Sequence, residues 1–197
     1  MKLRTLLIIC FIIPAIGNLA FGQKLKLVEG SLDALKAEKS IATSLTFDNM
    51  AVGKYKEESA YVNDKKTEYN KNEPGRGDKW AAAWVSDRER IFHPKFDELL
   101  EKASGMKVSA KSKYTMVYNT TFTEPGFNIG VMSKNAMISG EAIIIETANP
   151  SKVIARITVT KAPGRTGTGY DFDTGQRISE AYELSGKALG KFIENAK

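Results

Sequence analysis

Asp173-Thr174-Gly175 spells the short motif of aspartic proteases. Their chemistry needs two carboxylates about 3 Å apart sharing one proton. The tripeptide occurs once, where a helix is expected to begin, so Asp173 is expected to cap that helix by accepting backbone N–H bonds. Asp171 and Asp173 also open a calcium-loop spacing. Its twelfth position, where a bidentate Glu belongs, is Tyr182. Just upstream, Gly164-Arg165-Thr166-Gly167-Thr168-Gly169 invites a phosphate-loop interpretation. Such a loop needs Lys and then Ser or Thr after the last Gly, whereas Tyr170 and Asp171 stand there. A strand-to-helix connection fits better, with Arg165, Tyr170 and Asp171 as candidate binding residues.

Trp80 and Trp84 lie one helical turn apart and complete the binding candidates. Exposed, they would stack on a sugar ring; buried, they would pack against a sheet. His93 is the single histidine and has no Ser or Cys nucleophile near it in sequence. Arg76-Gly77-Asp78 matches a cell-adhesion tripeptide, but its Gly ends a turn and its Asp is placed to cap a helix. Asn119-Thr120-Thr121 is a glycosylation acceptor lying in an expected strand. With one His and one Cys, a zinc site would need mostly carboxylates, so no metal and no cofactor is expected.

These residues depend on the elements that carry them. Lys24–Glu29 alternates polar and apolar, as a strand with one exposed face does. Ser31 is placed to cap a turn or two over Leu32–Lys39, and Ile41–Met50 returns to strand character. Residues 54–104 read as helical, broken at Asn72–Gly77, with Asp78 capping a second helix through Arg90. Pro94 suits the first position of a third helix, which Ser104-Gly105 ends. Tyr114–Thr123 is a strand with Tyr114, Met116, Tyr118, Thr120 and Phe122 in phase, and Phe127–Met132 is a short strand.

Met137–Thr147 is a long β-branched run, Ala148-Asn149-Pro150-Ser151 a turn and Lys152–Lys161 the next strand. A helix then runs to the C-terminus, with Ile178, Ala181, Tyr182, Ser185, Ala188, Leu189, Phe192 and Ile193 along one face. It is expected to cover Ile143, Ile145, Val153, Ile157 and Val159, with Ala181, Gly186 and Ala188 letting it lie close to the sheet. The expected fold is a single α+β domain. Its mixed, mostly antiparallel sheet is packed by helices, the long C-terminal one covering it.

Lys2 and Arg4, the apolar run Leu6–Ile16 and Ala20-Phe21-Gly22 have the three-part pattern of a signal peptide over residues 1–22. Cleavage before Gln23 would remove Cys10 and lower the formal charge from +6 to +4, for a cysteine-free periplasmic or secreted chain. The charges are interspersed, without the basic stripe of a nucleic-acid binder.

An Ala- and Gly-containing strand, a strand ending Glu146-Thr147, Val153-Ile154-Ala155-Arg156, a Gly-rich loop and the helix from Arg177-Ile178 to Phe192-Ile193 follow in order. This pattern resembles small exported bacterial domains related in shape to the N-terminal domain of the translocation protein TolB and to the curli-secretion lipoprotein CsgG. Glu73–Trp80 resembles a feature of a narrower group from Bacteroidetes. The resemblance implies an envelope component without catalytic residues, whose partner is another envelope protein. Unlike CsgG, the chain has no Cys placed for a lipid anchor.

The leading expectation is a non-catalytic binding or assembly module of the cell envelope. Two alternatives stay open: a small-ligand or glycan binder using Trp80, Trp84 and Tyr170, and a hydrolase using Asp171, Asp173 and His93.

Overall fold

The computed structural model describes residues 22–128, 130–164 and 174–196. In chain order the elements are β1 (Lys24–Gly30), a 3-10 turn (Asp33–Leu35), β2 (Ser40–Thr46), β3 (Ala51–Val52), α1 (Glu58–Asn72) and α2 (Arg76–Asp87). A π-helical turn (Arg88–Phe92) joins α2 to α3 (His93–Ser104). Then come β4 (Lys107–Val108), β5 (Tyr114–Glu124), β6 (Phe127–Asn128), β7 (Ser133–Lys134), β8 (Met137–Glu146), β9 (Asn149–Pro163) and α4 (Thr174–Glu194). The fold is α+β.

The main sheet runs β1-β9-β8-β5-β2-β4, with β3 also on β5. Neighbours from β1 to β5 are antiparallel, while β2 lies parallel to both β5 and β4. That parallel pairing is possible because the whole helical segment intervenes between β2 and β5. β6 and β7 form a separate two-stranded hairpin, where a single strand was expected over Phe127–Met132. The β8–β9 connection is also tighter than expected: Glu146 pairs with Asn149, so only Thr147 and Ala148 turn the chain.

α4 closes one face of the sheet; Ile157 and Val159 of β9 lie on that face as expected, but β8 is in the opposite phase from the one expected. The covered face carries Ala142, Ile144, Ala155, Ile157 and Val159, all buried, whereas Ile143 and Ile145 are half-exposed on the other side. Val153 is exposed as well. Ile143 pairs across the ladder with Arg156, whose guanidinium bonds Glu29 at 3.1 Å and Glu141 at 3.0 Å. Two carboxylates and a guanidinium need water, so this row faces out and the alternate row goes in. In β5 a bulge between Thr120 and Phe122 shifts the alternation, burying Thr123 in place of Phe122.

The small residues of α4 serve a helix contact. A Cβ on Gly186 would stand 2.2 Å from the Phe96 carbonyl oxygen, and one on Gly190 2.8 Å from Leu100 O and from Ala103 Cβ. α3 therefore lies backbone-close along α4, and Phe96, Leu100, Ile178, Tyr182 and Leu189 fill the space between these helices and the sheet. Phe92 from the π turn stacks on Tyr182, with centroids 4.8 Å apart and planes 11° apart. The Tyr182 hydroxyl meets Thr120 Oγ1 at 2.8 Å, so the buried polar tip is satisfied.

One cap differs from expectation. The N-cap of α2 is Gly75 at φ 81°, and Asp78 lies inside the first turn, where it pairs with Lys66 at 2.7 Å. Ser31 does hold its turn, accepting the Asp33 N–H at 3.1 Å. Pro94 falls in the first turn of α3 and Gly105, at φ 69°, ends it.

Gly186→Ala sets helix propensity against the close helix approach. Alanine gains about 1 kcal/mol in propensity, but its Cβ would collide with a carbonyl that cannot move alone. The net expectation is a loss of about 1–3 kcal/mol, read in a denaturant melt. A variant at or above the wild-type midpoint would mean that the two helices do not pack here.

Candidate functional site

Of the residues singled out for binding, Arg165, Tyr170 and Asp171 lie outside the described residues, as does Asp173 with its expected cap. Trp80 and Trp84 can be placed, and they part company. Trp84 is 7 % exposed, and its indole N–H donates to Glu58 Oε1. Trp80 is half-buried and lines two clefts.

Both belong to an aromatic cluster between α1 and α2. α1 is strongly polar, and its one buried residue is Tyr61. The Tyr61 ring sits 5.8 Å from Trp80 and 5.1 Å from Trp84, and Tyr69 meets Trp80 edge-on at 5.6 Å and 80°. Edge contacts of this kind place positive ring edges on negative faces and fix the rings' relative positions. Burial pushes the Tyr61 hydroxyl well above the ordinary tyrosine range, so it remains neutral. Tyr61 escaped the sequence analysis because its helix lacks an apolar stripe. The pairing of Tyr61 and Tyr69 with two tryptophans one turn apart on the next helix was the available signal.

The turn between the helices is locked by polar contacts. Gly77 N–H donates to Asn70 Oδ1 at 2.7 Å, and Asn70 Nδ2 donates to Asp78 at 2.9 Å. A Cβ at Gly77 would stand 2.1 Å from the Lys66 carbonyl oxygen. The Arg76-Gly77-Asp78 tripeptide is thus the start of a helix packed on another, with its Asp engaged.

The larger cleft, about 450 Å³, lies between this pair of helices and the segment leading into β6. Tyr61, Tyr69 and Trp80 form its aromatic side, and Lys65, Asn72, Arg76 and Asn128 bring polar groups to it. Arg76 stacks over Tyr69 at 5.0 Å, and Lys65 bonds Glu68 at 2.8 Å. Arg177, 4 % exposed, donates to the carbonyl oxygens of Pro125 and Gly126 and to Thr174 Oγ1. It thereby ties the start of α4 to the far wall. The second cleft, about 400 Å³, opens on the other side of Trp80 and is lined by Trp84, Asp87, Arg90 and Phe92. Asp87 is buried and pairs with Arg90 at 2.5 Å.

His93 lines neither cleft. It stands at the start of α3 against β2, with Nε2 3.0 Å from Thr43 Oγ1, while Thr43 donates to Asp97 Oδ1 at 2.7 Å. A hydroxyl, an imidazole and two carboxylates are together, but the hydroxyl is not bonded as nucleophilic catalysis requires. There the hydroxyl donates to the imidazole and the carboxylate orients the far ring nitrogen. Here the hydroxyl proton goes to Asp97, which lies on the same side of the ring at 3.6 Å, and Nδ1 faces Glu89 at 3.4 Å. The cluster pins α3 to the sheet. Among the described residues no group of three or more His, Cys, Asp or Glu side chains is placed to hold a metal ion. No described helix is long and apolar enough to cross a membrane.

No family model and no curated protein matches the chain. Among solved structures it is similar to the PelC dodecamer from Paraburkholderia phytofirmans, at 11% identity and TM-score 0.36, covering 82% of this chain and 96% of that one. A substituted form of the same dodecamer in another crystal form gives 11% and 0.35. Scores of this size mark a loose likeness in chain path.

Desolvation raises the Asp97 carboxyl above the ordinary range, against the lowering effects of Thr43 and His93. A carboxyl that binds its proton more tightly when folded makes the fold lose stability as pH rises from the ordinary carboxylate value, about 4, through the raised one. Asp97→Asn keeps an acceptor for Thr43 and removes that slope. Denaturant midpoints of both proteins across this range should therefore differ increasingly in favour of the variant. A constant difference would contradict the assignment.

Proposed function

We propose that the protein is a non-catalytic binding module of the bacterial cell envelope, exported by residues 1–22, and that the Trp80 cleft is its recognition surface. The observation that carries this is the cleft's makeup: an aromatic side held rigid by edge contacts, with lysine, arginine and two asparagines around it. Preformed concavities with an apolar side and a few convergent polar groups are the usual form of a binding site. Of the hydrolase alternative only His93 lies among the described residues, and there it is engaged with Thr43 and Asp97 between α3 and β2. The sugar-binding alternative loses Trp84, which is buried with its N–H already bonded, and rests on Trp80 and on Tyr170, the latter outside the described residues. The signal pattern and the resemblance to exported envelope domains support the compartment.

A photo-crosslinking residue at position 72, on the cleft rim, should give discrete adducts in the native envelope. They should disappear in Trp80→Ala, while the same residue at position 187, exposed on α4, gives none of them. Equal adducts at both positions, or indifference to Trp80→Ala in a protein that still unfolds cooperatively, would remove the cleft from consideration. Export has its own check: the intact mass of native protein should correspond to a chain starting at Gln23. A mass that retains Met1–Gly22 contradicts it.

A further inference from the structure

Three of the seven large apolar side chains that stand exposed among the described residues fall within six positions: Phe127 at 40%, Val131 at 91% and Met132 at 59%. They belong to the β6–β7 hairpin, which stands outside the main sheet. Its base is firmly set. Phe127 pairs with Lys134 and Asn128 with Ser133, the buried Arg177 takes the Pro125 and Gly126 carbonyls, and Glu124 pairs with Lys134 at 2.5 Å. The turn is shaped by Gly130, at φ 82°, whose N–H donates to Asn128 Oδ1 at 2.9 Å. Beyond this base the tip holds two apolar side chains out in water, a cost the fold does not recover internally.

A convex tip cannot enclose a ligand; it can only enter something. Basic residues stand around the base of the hairpin. Lys134 and Lys161 line the concavity at its base, and Lys65 and Arg76 lie across the cleft that Phe127 borders. The carboxylates nearby, Glu124 and Glu68, are each bonded to one of those lysines. An apolar point above a base that carries basic residues has the polarity profile of the lipid interface, acyl chains below and anionic headgroups around them. The tip itself offers no aromatic or arginine anchor of the sort that fills a protein pocket. We propose that the β6–β7 hairpin is a lipid contact, with Val131 and Met132 entering the headgroup region of an anionic bilayer and the surrounding lysines and arginine meeting its phosphates.

The probe is vesicles of phosphatidylcholine alone, or with about one third phosphatidylglycerol to supply negative surface charge. The protein should sediment with the anionic vesicles and release as salt rises. Val131→Ser combined with Met132→Ser should weaken binding at least about tenfold with an unchanged melt, since neither side chain supports the core. Lys161→Gln should weaken it about fivefold. A second readout needs no substitution: anionic vesicles should protect Met132 from peroxide oxidation, followed by peptide mass. Unprotected Met132, or sedimentation indifferent to the double substitution, overturns the proposal. So does the third outcome, in which the protein ignores both vesicles but self-associates through Val131 and Met132, making the tip a protein contact.

Discussion

The candidate site depends on how a very polar pair of helices is held to the sheet. α1 cannot dock by hydrophobic burial, because Tyr61 is all it buries. Glu58, at its first residue, instead accepts both the Trp84 indole N–H and the Arg88 guanidinium. The guanidinium lies 4.0 Å from the centre of the Phe47 ring, just beyond β2. One carboxylate thus connects α1, α2 and the π turn, and the arginine carries the connection on to the sheet. All three groups are mostly shielded from water, so losing a partner would leave a poorly solvated charge. Removing one member of such a pair costs far more than the pair contributes relative to an apolar replacement. The aromatic cluster, and with it the Trp80 cleft, keeps its shape through this link.

The helices were legible where periodicity was strong and the cap chemistry was unambiguous. α4 shows apolar residues at three and four throughout, and α3 is bracketed by Pro94 and Gly105. The sheet was harder for an identifiable reason. Ile143-Ile144-Ile145 is continuous, and a run without alternation does not say which row faces the core. The deciding fact was Arg156 with Glu29 and Glu141, an ion-pair set spanning three strands and more than a hundred residues of chain. Gly186 posed a similar problem. Its smallness announced a close approach, but only the tertiary arrangement shows α3 rather than the sheet on the other side.

The candidate site was legible in part. Trp80 and Trp84 have the same residue type and sit one turn apart, and sequence alone treats them alike. What separates them is Glu58, a residue on another helix that draws one indole N–H inward. His93 shows the converse. No Ser or Cys nucleophile lies near it in sequence, yet the Thr43 hydroxyl, fifty residues earlier, is within hydrogen-bond distance. Proximity of suitable residue types is not enough there, because the direction of the hydroxyl's bond decides whether an imidazole can take its proton, and Thr43 donates to Asp97.

Arg177 joins these observations. Aligned bonds to two successive carbonyls and a threonine hydroxyl satisfy a guanidinium that would otherwise be costly to bury. The carbonyls it holds belong to Pro125 and Gly126, at the point where β5 ends and the β6–β7 hairpin begins. Gly126, at φ 66°, leaves no room for a Cβ beside the Lys134 carbonyl oxygen, so that corner has a single way to turn. Gly126, Thr174 and Arg177 form part of the wall of the Trp80 cleft opposite the two helices. Cleft wall and hairpin base are therefore one rigid piece tied to the first turn of α4. Phe127 and Asn128 accordingly serve twice, as the first strand of the hairpin and as lining of the cleft.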